Sequence, residues 1–106
     1  MSRKRQNITL PADLILDASI FANAKIVYAL LKTFPANKVT AYLPSSHHFA
    51  AAAKSVTVTH GAIIERSGLS RHTTVKSLNR LEAAGWIIQE RSLGSANTYF
   101  FTAPVV

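Results

Sequence analysis

His72, Val75, Lys76 and Asn79 recur at intervals of three and four residues, with Arg71 and Arg80 flanking them. On a helix that spacing gathers them on one face, while Thr74, Ser77, Leu78 and Leu81 gather on nearly the opposite one. The second set is small or apolar and suits packing. The first set offers cations, an imidazole and an amide, groups that hydrogen-bond base edges and neutralise phosphates. From Arg66 to Leu81 the chain carries four Lys/Arg residues and no carboxylate. Such a local excess releases condensed counterions when it meets phosphates, which supplies most non-specific affinity for a nucleic acid. The plainer alternative is a solvated helix face.

Other chemistries find little support. His47 and His48 are adjacent, so on a helix their side chains diverge by about 100° and do not readily share an ion. His60 and His72 fall on separate expected helices, and the chain has no cysteine to join them. Asp13, Asp17, Glu65, Glu82 and Glu90 show no pairing typical of hydrolytic sites, and no Gly-rich phosphate loop is present. The expectation is therefore a protein that is not an enzyme and needs neither metal nor cofactor.

The elements that must position the stripe are legible. Thr59 can cap a first helix whose apolar residues Ile63 and Ile64 precede the turn Ser67-Gly68-Leu69. Ser70 can cap a second helix with its hydroxyl, and Gly85 suits a left-handed stop after Ala84. Two short helices joined at Gly68 form the layout of a helix-turn-helix, whose second helix enters DNA. Trp86 to Ser92 then favours a strand, Leu93 to Ala96 a turn, and Asn97 to Thr102 a returning strand.

A β-hairpin directly after such a helix resembles the winged helix-turn-helix. The run SRHTTVKSLNRLEAAGWI is similar to the recognition-helix signature of MarR-type and GntR-type regulators. A closer likeness is to the helix-turn-helix domains of phage and plasmid replication proteins, where a Ser-Asn-Thr-Tyr-like run often opens the last strand. Here that run is Ser95-Ala96-Asn97-Thr98-Tyr99, with Ala96 inserted. The resemblance covers residues from about Val56 to Thr102 strongly and the amino-terminal helix weakly. Ile64 stands where the family usually has a small residue, and Thr74 where a buried Val is usual; Thr74 can return its proton to a carbonyl one turn earlier.

The resemblance implies a recognition helix over about 71–84, with Arg71, His72, Val75, Lys76 and Asn79 reading the major groove. Val75 falls at a DNA-facing register, where it meets a thymine methyl or else completes the core. Ser70 and Thr73 are expected to hold phosphate, and Arg91, Ser95 and Asn97 to act at the wing. Thr59 and Arg80 complete the expected DNA-binding set on the domain.

Ala22 to Phe34 places Ile26, Val27, Leu30, Leu31 and Phe34 at helical intervals, with Asn23 or Ser19 as cap, and stops before Pro35. Ile8 to Ser19 is left open between a short strand and a turn of helix. From Ala36 to Ser55 the chain is longer than the fold requires, and a Ser followed by Phe49, four alanines and Lys54 predicts an extra short helix. It either covers the domain's own core or offers a surface for self-association. Val56-Thr57-Val58 alternates as a short strand to pair with the hairpin.

Composition is consistent with this layout. A chain of 106 residues suffices for one core. No stretch of ~18 or more apolar residues is present to span a membrane, and no secretory signal precedes the domain. Net charge +7 and pI near 10.3 point to a polyanionic partner. Arg3, Lys4 and Arg5 form a basic arm that either follows a DNA groove or is simply solvated. The expected architecture is thus an α+β chain, a flexible arm at 1–7 and a winged domain at 8–106, with three core helices, a hairpin wing and an extra helix.

The expected activity is sequence-specific binding of double-stranded DNA by a transcriptional regulator in a prokaryotic cytoplasm, without a membrane partner. The alternatives are a replication-initiation or partition factor of a plasmid or phage, and a winged module that binds protein. A homodimer or side-by-side copies on DNA are expected, paired through Phe49 to Ala53 or the tail Ala103-Pro104-Val105-Val106.

Overall fold

The computed structural model describes residues 10–37, 41–42, 52–91, 94 and 96–102. The arm at Arg3, Lys4 and Arg5, the residues His47, His48, Phe49 and Ser95, and the tail from Ala103 lie outside the described residues. Within them the chain is an α+β domain. In order come α1 (Ala12–Ile15), α2 (Ala22–Leu31), β1 (Ala41–Tyr42), β2 (Ala52–Ala53), β3 (Ser55–Thr59), α3 (His60–Ser67), α4 (Arg71–Ala83), β4 (Ile87–Glu90) and β5 (Ala96–Phe101).

The longer sheet is antiparallel, in the order β3-β5-β4. Its register sets Val56 against Tyr99, Val58 against Asn97, Ile87 against Phe101 and Gln89 against Tyr99. Alternation sends Val56 and Val58 inward and leaves Thr57 exposed, where its hydroxyl meets that of Thr98 at 2.9 Å. The expected strand at residues 56–58 and its pairing with the hairpin are both present.

Helix α2 lays Ala24, Val27, Tyr28 and Leu31 on the core, an i, i+3, i+4, i+7 stripe. Tyr28 sits edge-on to Trp86 and Phe101, at centroid distances of 6.5 and 5.5 Å. Two expectations fail here. Ile26 is 48 % exposed, because the buried stripe is centred one residue further round the helix. Neither Ser19 nor Asn23 caps the helix: Phe21 holds the cap position with no side-chain bond, and Ser19 instead donates to Asp17. The open segment before α2 resolves as the single helical turn α1, which buries Leu14.

The predicted extra helix is also overturned where it can be followed. Ala52 and Ala53 form β2 and pair with β1, Ala53 opposite Ala41 and Ala52 opposite Tyr42. The helical preference of alanine is worth only tenths of a kcal/mol per residue over most others, so the backbone ladder with β1 outweighs it. The remainder of that expected helix lies outside the described residues.

Helices α3 and α4 follow their caps. Thr59 Oγ1 accepts from the Ala62 amide at 3.0 Å, and Ser70 Oγ accepts from Thr73 at 3.1 Å. Gly68 takes φ 73°, a left-handed turn that only glycine adopts freely, and its amide closes on the Ile64 carbonyl at 2.8 Å. At the far end Gly85 takes φ 90°, while Gly85 N bonds Glu82 O and Trp86 N bonds Leu81 O. That pair of bonds is a Schellman stop, which turns the chain directly into β4.

Thr74, Ser77, Leu78 and Leu81 are all fully buried, as the spacing predicts. The fate of the two hydroxyls differs from expectation: Ser77 Oγ returns its proton to Thr73 O at 2.7 Å, whereas Thr74 Oγ1 is buried without a partner. A buried, unpaired hydroxyl costs about 1–3 kcal/mol. Thr74→Val, which keeps the shape and removes the orphan, is expected to raise stability by about 1 kcal/mol, measured as a higher urea midpoint at unchanged slope; a lower midpoint contradicts the orphan.

Candidate nucleic-acid interface

With its inner face buried, α4 presents Arg71, His72, Lys76 and Asn79 to solvent, and Val75 lies half-buried at the edge. The stripe is one surface, but its members are not equally free. Lys76 Nζ leans over the Phe21 ring, 5.7 Å from the centroid. Asn79 Oδ1 accepts from Gln89 Nε2 at 3.1 Å. The Asn79 NH2 and the second lone pair of Oδ1 are left, so the Gln89 bond fixes the orientation in which Asn79 could pair with adenine.

Arg80 departs furthest from its expected place. It is half-buried and its Nε donates to Ser19 O at 3.1 Å, which ties α4 to the loop before α2. The same loop is stiffened by Asp17, whose carboxyl is held below its ordinary range chiefly by the Ser19 hydroxyl and amide. Arg66, counted among the local cations, is likewise engaged: its guanidinium stacks 4.0 Å from the Phe34 centroid and Nη1 donates to Thr33. Of the four cations between residues 66 and 81, Arg66 and Arg80 therefore hydrogen-bond the domain itself and Lys76 rests on the Phe21 ring.

The capping residues divide similarly. Thr59 Oγ1 is committed as an acceptor to α3 but retains its proton. Ser70 Oγ accepts from Thr73 N and meets Thr73 Oγ1 at 3.0 Å, a geometry in which Ser70 donates and the Thr73 proton stays available. Thr73 is thus better placed than Ser70 to donate to an outside oxyanion.

From the hairpin, Arg91 is exposed just beyond β4. Asn97 is half-buried near the start of β5, with Nδ2 3.5 Å from His60 Nε2. Sequence reasoning passed over His60 except as a metal ligand. Its imidazole is held below its ordinary pKa by burial first, then by Arg71 and Arg91. Those two arginines act on it through their charge, one from the start of α4 and one from just beyond β4. Their signal in sequence was only the position of His60 as the first helical residue after a Thr cap. Gln89 was missed as well: its amide N donates to Glu82 Oε2 at 2.8 Å, and its side chain donates to Glu82 Oε1 and Asn79 Oδ1.

Among the described residues no group of three or more His, Asp or Glu could hold a metal ion. No helix among them is long and apolar enough to cross a membrane. No family model matches the chain, and neither a curated protein nor a solved structure matches it.

Proposed function

We propose that this chain is a winged helix-turn-helix protein that binds duplex DNA sequence-specifically, with α4 in the major groove and the β4–β5 hairpin against the adjoining backbone. The observation that carries the reading is the division of α4: one face is buried to the last atom, and the opposite face is solvent-exposed and cationic at its amino-terminal half. A strand before the helix pair that joins the returning strand of the hairpin supports the winged arrangement. Control of transcription is the biological role this reading favours.

Reading of bases falls to Arg71, His72 and Lys76, and less to Asn79, whose carbonyl is already bonded. Lys76→Ala is expected to cost about 1–3 kcal/mol on the preferred site and to relax one or two base positions. Arg91→Ala weakens all sequences more evenly, because a phosphate carries no base identity. Selection of sites from random duplexes, with each variant beside the wild type, tests the assignment. Unchanged preference in Lys76→Ala counts against the face, and no duplex retained at low salt removes the DNA reading in favour of a protein-binding module.

A further inference from the structure

Three elements remote in sequence bring polar groups to bear on His60. Helix α3 contributes His60 at its first position, α4 contributes Arg71 at its first position, and the hairpin contributes Arg91 and Asn97. Asn97 Nδ2 lies 3.5 Å from His60 Nε2. Alternation along β5 puts Tyr99 on the same sheet face as Asn97. Tyr99 is fully buried, its hydroxyl has no hydrogen-bond partner, and the groups that act on its titration besides burial are Asn97 and Arg91. A buried hydroxyl without a full hydrogen bond is costly, and Asn97 and Arg91, the groups that act on it, place it close to His60's neighbours.

Among the described residues nothing of opposite sign is paired with the side chains of these arginines. Arg71 and Arg91 hold no hydrogen bond or ion pair among the described residues. Glu90, next to Arg91, projects from the opposite face of the hairpin, since Gln89 points toward α4 and successive strand residues alternate. Glu82 is turned onto Gln89. The charged groups that act on His60 are therefore Arg71 from α4 and Arg91 from just beyond β4. The amino end of α3 adds its own unpaired amides and dipole to them.

We infer that His60, Arg71, Arg91 and Asn97 form an oxyanion clamp that grips one phosphoryl group, and that His60 gains a proton when that group binds. The inference rests on the DNA reading only for the source of the phosphoryl group, a backbone phosphate rather than free phosphate. In the empty clamp burial and the two arginines keep the imidazole neutral, and a bound phosphate reverses the local field. Proton uptake on binding requires affinity to rise as pH falls, by up to about tenfold per pH unit for one proton.

The experiment follows the His60 ring by NMR across pH, with inorganic phosphate and with chloride at equal ionic strength. Phosphate is expected to raise the His60 pKa, and Arg91→Ala to raise it in the free protein yet abolish the response to phosphate. Removal of a merely structural contact would not produce both. The second arm measures duplex affinity from pH 7.5 to 5.5, where His60→Gln is expected to be flatter than wild type; every other group is common to both proteins. A His60 resonance indifferent to phosphate, or equal pH slopes for wild type and His60→Gln, overturns the clamp. A phosphate response without any duplex binding upholds the clamp, removes the DNA reading and assigns the site to free phosphate.

Discussion

Leu78→Ala is expected to lower the unfolding free energy by about 2–5 kcal/mol, a large share of the ~5–15 kcal/mol typical of a domain. Leu78 is fully buried in the core cluster with Val27, Tyr28, Leu31, Ile63 and Leu81. With Leu81 it carries the apolar face that α4 turns to the core, so truncation opens a cavity that rigid neighbours from two other helices fill only in part. The single tryptophan, Trp86, is 3 % exposed and reports unfolding by fluorescence. Leu16→Ala supplies the control: at 78 % exposed it should change stability by about 0.5 kcal/mol or less. Equal effects of the two substitutions in urea titrations would contradict the buried assignment of α4.

Affinity for duplex DNA is expected to fall about a thousandfold between 50 and 200 mM salt, a slope of about −5 in log affinity against log salt. That slope corresponds to roughly six phosphates neutralised. Arg71, Lys76 and Arg91 are available on the domain, since Arg66 and Arg80 are occupied by Phe34, Thr33 and Ser19. Arg3, Lys4 and Arg5 would supply the remainder. Deletion of residues 1–7 should therefore shallow the slope by about 2–3 if the arm lies on phosphates, and leave it unchanged if the arm is solvated. Fluorescence anisotropy over a salt series measures both. A wild-type slope near zero would show that binding is not driven by charge neutralisation and would defeat the interface assignment.

What was legible in sequence follows from how local each cause is. Thr59, Ser70, Gly68 and Gly85 act on the backbone within four residues, so their types alone located both ends of α4 and the turn before it. The buried face of α4 was equally plain, because period 3.6 needs no partner to be seen. Ile26 was misplaced because a helix with apolar residues on several sides has more than one candidate stripe, and only packing against α3 and α4 selects one. Thr74 and Ser77 are both able to back-bond, and the choice between them depends on neighbours three dimensions away. The alanines at 52 and 53 carry almost no side-chain preference, so strand pairing decided their state.

The site was readable as a stripe and unreadable as a set of free groups. Arg80, Arg66 and Asn79 look like equals of Arg71 in sequence, yet each has a partner from an element distant along the chain. His60 shows the reverse: unremarkable alone, it acquires meaning from Arg71, Arg91 and Asn97. Charge on a side chain is a sequence property, whereas its availability is a tertiary one.

The three hydrogen bonds from Gln89 to Glu82 and Asn79 bear on how the hairpin can move. They fasten β4 to the flank of α4 through both backbone and side chain, so the hairpin cannot pivot on the helix without exchanging all three for water. Helix and hairpin consequently approach any surface as one rigid jaw of preset opening. Little conformational freedom remains there to be lost on docking, and discrimination rests on whether the opposing shape already fits that opening.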